Sequence, residues 1–173
     1  MNLHVVAYPD LAPADYERIQ LCRREHNTLY NIIEPHFTIV FSVPDMELDE
    51  FATEVKKQVA GMAAIPFTLR CTVVNKDSFS AYYDAFLVPD EGFSGITKLH
   101  DRLYSRKLWR YLRLDVSYIP HMSIANSLDV HRIKGVVDKW NAEEFAIQGT
   151  VSSLDIINYE NRVITTVELI ELR

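Results

Sequence analysis

Four residues of this 173-residue chain have the types and spacing for proton transfer around a phosphate. His36 and Thr38 sit in Pro35-His36-Phe37-Thr38-Ile39, and His121 and Ser123 sit in Pro120-His121-Met122-Ser123-Ile124, 85 positions further on. An unperturbed imidazole titrates near pH 6.5, so near neutrality one histidine can act as base while a second acts as acid. That pairing suits in-line displacement at phosphorus: one ring removes a proton from the nucleophile and the other protonates the leaving oxygen. The two hydroxyls can donate to the non-bridging oxygens, where charge builds in the transition state. No carboxylate base and no metal are needed for such a step.

Hydrophobic spacing shows which elements must place these side chains. It predicts a strand over residues 3–8, a helix over Asp10–Leu29, a strand over Ile32–Val43, and a helix from Pro44-Asp45-Met46-Glu47 to about Gly61. Two strands follow near 65–75 and 82–88, then a helix over Gly92–Lys107 and a strand over Met122–Asn126. The chain closes with a helix over Asp129–Trp140 and strands near 145–157 and 162–172. The order strand–helix–strand–strand thus occurs twice, each copy opening on a His-x-hydroxyl. We expect one domain over 1–173 made of two pseudo-symmetric lobes, with motif strands 36–43 and 121–127. The fold class is α+β: two antiparallel sheets, helices packed outside, and a central groove. Side chains alternate along a strand, so His36 and Thr38 share one face, and His121 and Ser123 another. Phe37, Ile39 and Phe41 are expected on the opposite face of the first strand, and Met122 and Ile124 on that of the second.

Other residues carry weaker signals. Tyr30 and Tyr118 shortly precede the motif strands, where a base could stack on a ring. Tyr82, Tyr83 and Tyr159 fall at hairpins and are undecided. Arg23 and Arg24 end the first helix, and Arg24 is taken as the candidate substrate contact. Glu34 could orient His36, but its counterpart before His121 is Ile119, which argues against a carboxylate role. His4, His26, His100 and His131 lack a repeated partner and read as packing or surface residues. Two histidines without Asp, Glu or Cys in ligand spacing make a poor metal site.

Composition narrows the function classes. At 48% hydrophobic and 24% charged, with no run of about 18 apolar residues, the chain has material for a core and none for a transmembrane helix. The start lacks the flank and apolar stretch of a signal peptide. Cys22 and Cys71 form no CxxC, which fits a reducing cytoplasm. A net charge of −6 argues against holding long duplex DNA, which needs clustered cations. Lys98, Arg102, Arg106, Lys107, Arg110 and Arg113 stand against Asp101 alone. They form either the solvated face of a helix or a landing surface for phosphate.

The paired Pro-His-Phe-Thr-Ile and Pro-His-Met-Ser-Ile segments resemble the signature of the 2H phosphoesterase superfamily, which includes 2'-5' RNA ligase-like proteins and 2',3'-cyclic nucleotide phosphodiesterases. The resemblance spans nearly the whole chain. It implies a bilobal α+β fold and metal-independent, cofactor-free chemistry on a 2',3'-cyclic phosphate or a 2'-5' bond. It makes His36 and His121 the acid and base, and has Thr38 and Ser123 hold the phosphate. Ser123 departs from the commoner Thr but keeps the hydroxyl. The acidic balance departs further and points to a small nucleotide or short RNA as partner, with reverse ligation through the same groove. The alternative from another class is a module that binds nucleotide or RNA in this groove without turnover.

Overall fold

The computed structural model describes residues 1–173. Nine strands and four helices form, in chain order, β1 (Leu3–Ala7), β2 (Asp10–Leu11), α1 (Pro13–His26), β3 (Phe37–Val43), α2 (Leu48–Val59), β4 (Ile65–Lys76), β5 (Tyr83–Glu91), α3 (Phe93–Leu103), β6 (Met122–Ser127), α4 (Val130–Asn141), β7 (Ile147–Val151), β8 (Ser153–Glu160) and β9 (Val163–Glu171). A 3-10 turn covers Arg106–Tyr111 between α3 and β6.

The strands make two antiparallel sheets, ordered β3-β1-β8-β9 and β2-β7-β4-β5-β6. Counted inward from the motif strand, one runs β3, β1, β8, β9 and the other β6, β5, β4, β7, β2. Each motif strand is therefore an edge. The third strand of each sheet comes from the other half of the chain, because β4 follows β3 and α2 yet pairs with β5, and β8 follows β6 and α4 yet pairs with β1. The helices exchange too: α1, which follows β1, packs on β6, while α3, which follows β5, packs on β3.

Apolar spacing accounts for the helices. Phe51, Val55 and Val59 of α2, Ile96, Leu99 and Leu103 of α3, and Ile133, Val137 and Trp140 of α4 are buried along single stripes. The Asp129 carboxylate caps α4 by accepting from the His131 backbone N–H at 2.9 Å. One continuous core of 35 buried residues joins both sheets, with Phe37 of β3 meeting Phe67 of β4 edge-to-face at 5.0 Å. No helix is long and apolar enough to cross a membrane.

The structure corrects several expected boundaries. Asp10–Leu11 pairs with Gly149–Thr150 as β2, and the helix starts only at Pro13, whose missing N–H suits a first helical position. Residues 27–36 form an irregular loop ahead of β3, not the start of a strand. The stretch read as one strand over 145–157 is two strands in different sheets, parted at Ser152, whose carbonyl accepts from the Leu172 N–H at 2.8 Å.

Candidate active site

Each motif strand needs its open edge satisfied before it can hold a side chain still. On β3 this is done by side chains. His100 Nδ1 donates to the Ile39 carbonyl at 2.8 Å, the Tyr104 hydroxyl accepts from the Phe41 N–H at 2.8 Å, and the Tyr118 hydroxyl donates to the Thr38 carbonyl at 3.1 Å. The Tyr118 ring stacks on His100 at 3.6 Å. On β6, Asn27 at the C-terminus of α1 donates to the Ser123 carbonyl at 3.2 Å, and its Nδ2 lies 3.4 Å from Ser123 Oγ.

Both strands also carry a bulge at the same point of the motif. Val5 and Val6 face Val40 and Thr38, leaving Ile39 extra, and Ala85 and Phe86 face Ala125 and Ser123, leaving Ile124 extra. The alternation expected from sequence breaks there. Ile39-Val40 and Ile124-Ala125 are buried in succession, so Phe41 returns to the groove face, contrary to expectation, and Asn126 does so on β6.

His36 and His121 each lie one residue ahead of their strand. His36 Nδ1 meets the Glu34 carbonyl at 2.7 Å, and His121 Nδ1 meets the Ile119 carbonyl at 2.6 Å. A carbonyl can only accept, so each Nδ1 carries the proton and each neutral ring keeps a free lone pair on Nε2. Phe86 stacks on His121 at 3.6 Å, and Tyr8 stands edge-on to His36 at 6.1 Å. Burial is the main reason both imidazoles are depressed to about 4, with Arg23 and His121 adding to the effect on His36. In the empty site both are neutral at pH 7. The expected division into one acid and one base there therefore requires an arriving anion to raise one of them.

His36, His121 and Ser123 line one groove of about 560 Å³, walled by residues 77–80, Tyr82, residues 115–117 and Ile119. Thr38 is not on that groove. It lines an adjoining apolar cavity that also reaches His36. No Lys or Arg lines the groove, whereas Asp77, Asp84 and Asp115 do. Asp84 is raised to about 6 by burial and by Asp77. The basic run after Lys98 lies off the groove: none of its six cations lines it, Lys107 pairs with Glu50, and Arg113 is held by Asp115 while lying over the Phe79 ring at 4.4 Å. No group of three or more His, Cys, Asp or Glu is arranged to hold a metal ion.

Three further candidates are displaced. Tyr118 lies outside the groove lining, its hydroxyl engaged on β3. Tyr30 lines a separate depression with Tyr8 and Gln20. Arg24 is exposed on α1, one position past Arg23, which is 2% exposed. Arg23 donates to Gln20 Oε1 at 2.7 Å and to the Ile33 carbonyl, bracing the loop that delivers His36. Its place four residues after buried Ile19 was the available signal. Asn27, Phe86 and Asn126 went unmarked because each acts through a partner distant in sequence. Tyr82 lines the groove and Tyr159 the apolar cavity.

The sequence profile of the 2'-5' RNA ligase superfamily matches residues 8–162. No curated protein sequence matches the chain significantly. Solved structures share its fold at low identity. TT0787 of Thermus thermophilus superposes with a TM-score of 0.67 at 16% identity, covering 100% of this chain and 98% of that one. E. coli LigT, in its complex with 3'-AMP, gives 0.59 at 14% identity, covering 99% and 97%. Usb1 of Kluyveromyces marxianus gives 0.58 at 10% identity, covering 99% and 98%.

Proposed function

The chain belongs to the 2'-5' RNA ligase superfamily, and we propose that it is a metal-independent phosphoesterase opening a 2',3'-cyclic phosphate or cleaving a 2'-5' phosphodiester. The observation that carries the reading is the pair of imidazoles on one groove, each with Nδ1 on the carbonyl two residues before it. On a cyclic phosphate, Nε2 of one ring takes a proton from water as its oxygen bonds to phosphorus. The P–O bond to one ribose oxygen breaks, and the other imidazolium gives that oxygen a proton. The incoming phosphate anion favours the acid, since a negative charge beside a depressed imidazole raises its pKa and lets the ring take a proton from solvent. Ser123 donates to a non-bridging oxygen from the groove, and Thr38 donates to another from the adjoining cavity, which meets the groove at His36. The same groove run backwards joins a hydroxyl to a cyclic phosphate.

A groove with three acids and no cation has no charged side chain to hold a second phosphate, which supports a small nucleotide or short RNA as substrate. The complex of E. coli LigT with 3'-AMP points the same way. The test is phosphorus NMR on the four 2',3'-cyclic mononucleotides and a 2'-5' dinucleotide in excess chelator. His36→Ala and His121→Ala should each lose roughly 10²–10⁴-fold in turnover while keeping the wild-type circular dichroism. Full activity in either variant refutes the paired acid–base mechanism. Binding without conversion by the wild type favours a recognition module.

A further inference from the structure

Beside His36 one face of the four-stranded sheet is incompletely filled. A cavity of about 230 Å³ lies between that face and the 28–36 loop. Ile32 and Ile33 cover it from the loop, and Ile157 and Ile164 line it from β8 and β9. Thr38 and His36 form its end toward the groove, and no charged side chain lines it apart from what the histidines can carry.

Besides Thr38 and His36 at that end, Tyr159 and His4 bring polar groups into this apolar lining. His4 of β1 sits opposite Ile157, on the same face as Val6 and Thr38. Its Nε2 is buried without any hydrogen-bond partner. A buried, unpaired ring nitrogen is costly and rare. Burial depresses the imidazole to about 4, so at neutral pH the ring is uncharged and can accept or donate one hydrogen bond according to its tautomer. A mostly apolar slot with a few polar side chains in its wall matches a flat heterocycle, whose faces are apolar and whose edge carries donors and acceptors.

We propose that this cavity is the nucleobase pocket of the substrate and that His4 reads the base edge. The proposal rests on the phosphoesterase reading for the position of the phosphate between His36 and His121. It places the base on the β3 side, beyond Thr38 among Ile32, Ile33, Ile157 and Ile164, with the ribose at His36. It leaves the acidic arm of the groove, toward Asp77 and Asp84, outside the nucleoside.

The test compares adenosine and uridine 2',3'-cyclic phosphates with 1-O-methylribose 2',3'-cyclic phosphate, which has the same reacting group and no base. The wild type should favour the nucleotides, chiefly through KM. His4→Phe keeps ring volume and removes the hydrogen bond, and should lower the nucleotide-to-methylribose ratio of kcat/KM about tenfold. Equal turnover of base-bearing and base-free substrates, or an unchanged ratio in the variant, overturns the pocket while the phosphoesterase reading stands. If the wild type turns over none of them, the reaction is wrong, and a titration of wild-type protein with 3'-AMP decides the pocket. A shift of the His4 ring protons supports it, and silence at His4 overturns it. That titration also decides should His4→Phe fail to fold.

Discussion

Substrate-free imidazoles at about 4 make a quantitative demand on the pH profile. Their folded values lie below the ordinary 6.5 because burial opposes the charged form. The neutral form is therefore favoured, and the protonated fraction of either ring falls from about one in ten at pH 5 to about one in a thousand at pH 7. The reaction draws one protonated ring from the free protein, so kcat/KM should fall roughly tenfold per unit between about pH 5 and 7. The kcat profile, which reports the complex, should be flatter, because bound phosphate raises the acid. Phe86→Leu tests the cause. It replaces the ring stacked 3.6 Å from His121 with a smaller side chain, admits water to that face, and should move the His121 midpoint toward 6.5 while leaving that of His36. Proton NMR of the histidine Cε1–H signals, with steady-state kinetics over the same range, measures both effects. Midpoints near 6.5 for His36 and His121 in the ligand-free wild type would refute the desolvation argument.

The same shifts bear on stability. A depressed histidine contributes stability that is complete above its unfolded value and lost as pH falls from about 6.5 toward 4, so thermal denaturation should weaken over that window, less so in a His36→Gln/His121→Gln protein. Tyr118→Phe removes the donor to the Thr38 carbonyl while keeping the stack on His100. It should cost about 1 kcal/mol by denaturant unfolding, and an unchanged midpoint would show that the edge bond is dispensable. Asp84→Asn removes a charge that repels phosphate and should lower KM at pH 7.5. That gain should vanish below about pH 6, where the wild-type carboxyl is itself protonated. Gly92→Ala adds a Cβ at φ 83°, 2.5 Å from the Pro66 carbonyl oxygen. It should destabilise by several kcal/mol, of order 2–4, from strain and clash together, and near-wild-type melting would contradict the geometry.

Much of the site was legible from residue types. His121 and Ser123 do line one groove, as a period of two predicts within a strand, and His36 joins them there through the tertiary fold. The limits came from interactions remote in sequence or carried by the backbone. Glu34 looked unpersuasive because its counterpart is Ile119, yet the two positions act alike through their carbonyls, which side-chain identity does not encode. The bulges at Ile39 and Ile124 are hinted at by the apolar doublets Ile39-Val40 and Ile124-Ala125 but are set by pairing with β1 and β5. Arg24 was preferred to Arg23 because helical phase matters only once the buried side of α1 is known.

The sequence by itself determined the two His-x-hydroxyl motifs, the repeated order of elements and the amphipathic faces, since these depend on local spacing and on the properties of single side chains. Tertiary structure alone decided that each sheet takes its third strand from the other half, that Lys107 and Arg113 of the basic run pair with Glu50 and Asp115, and that Thr38 faces a cavity reaching His4. Those outcomes depend on contacts between segments far apart in the chain, and on how deeply water is excluded. Neither quantity is a property of any segment of the chain taken alone.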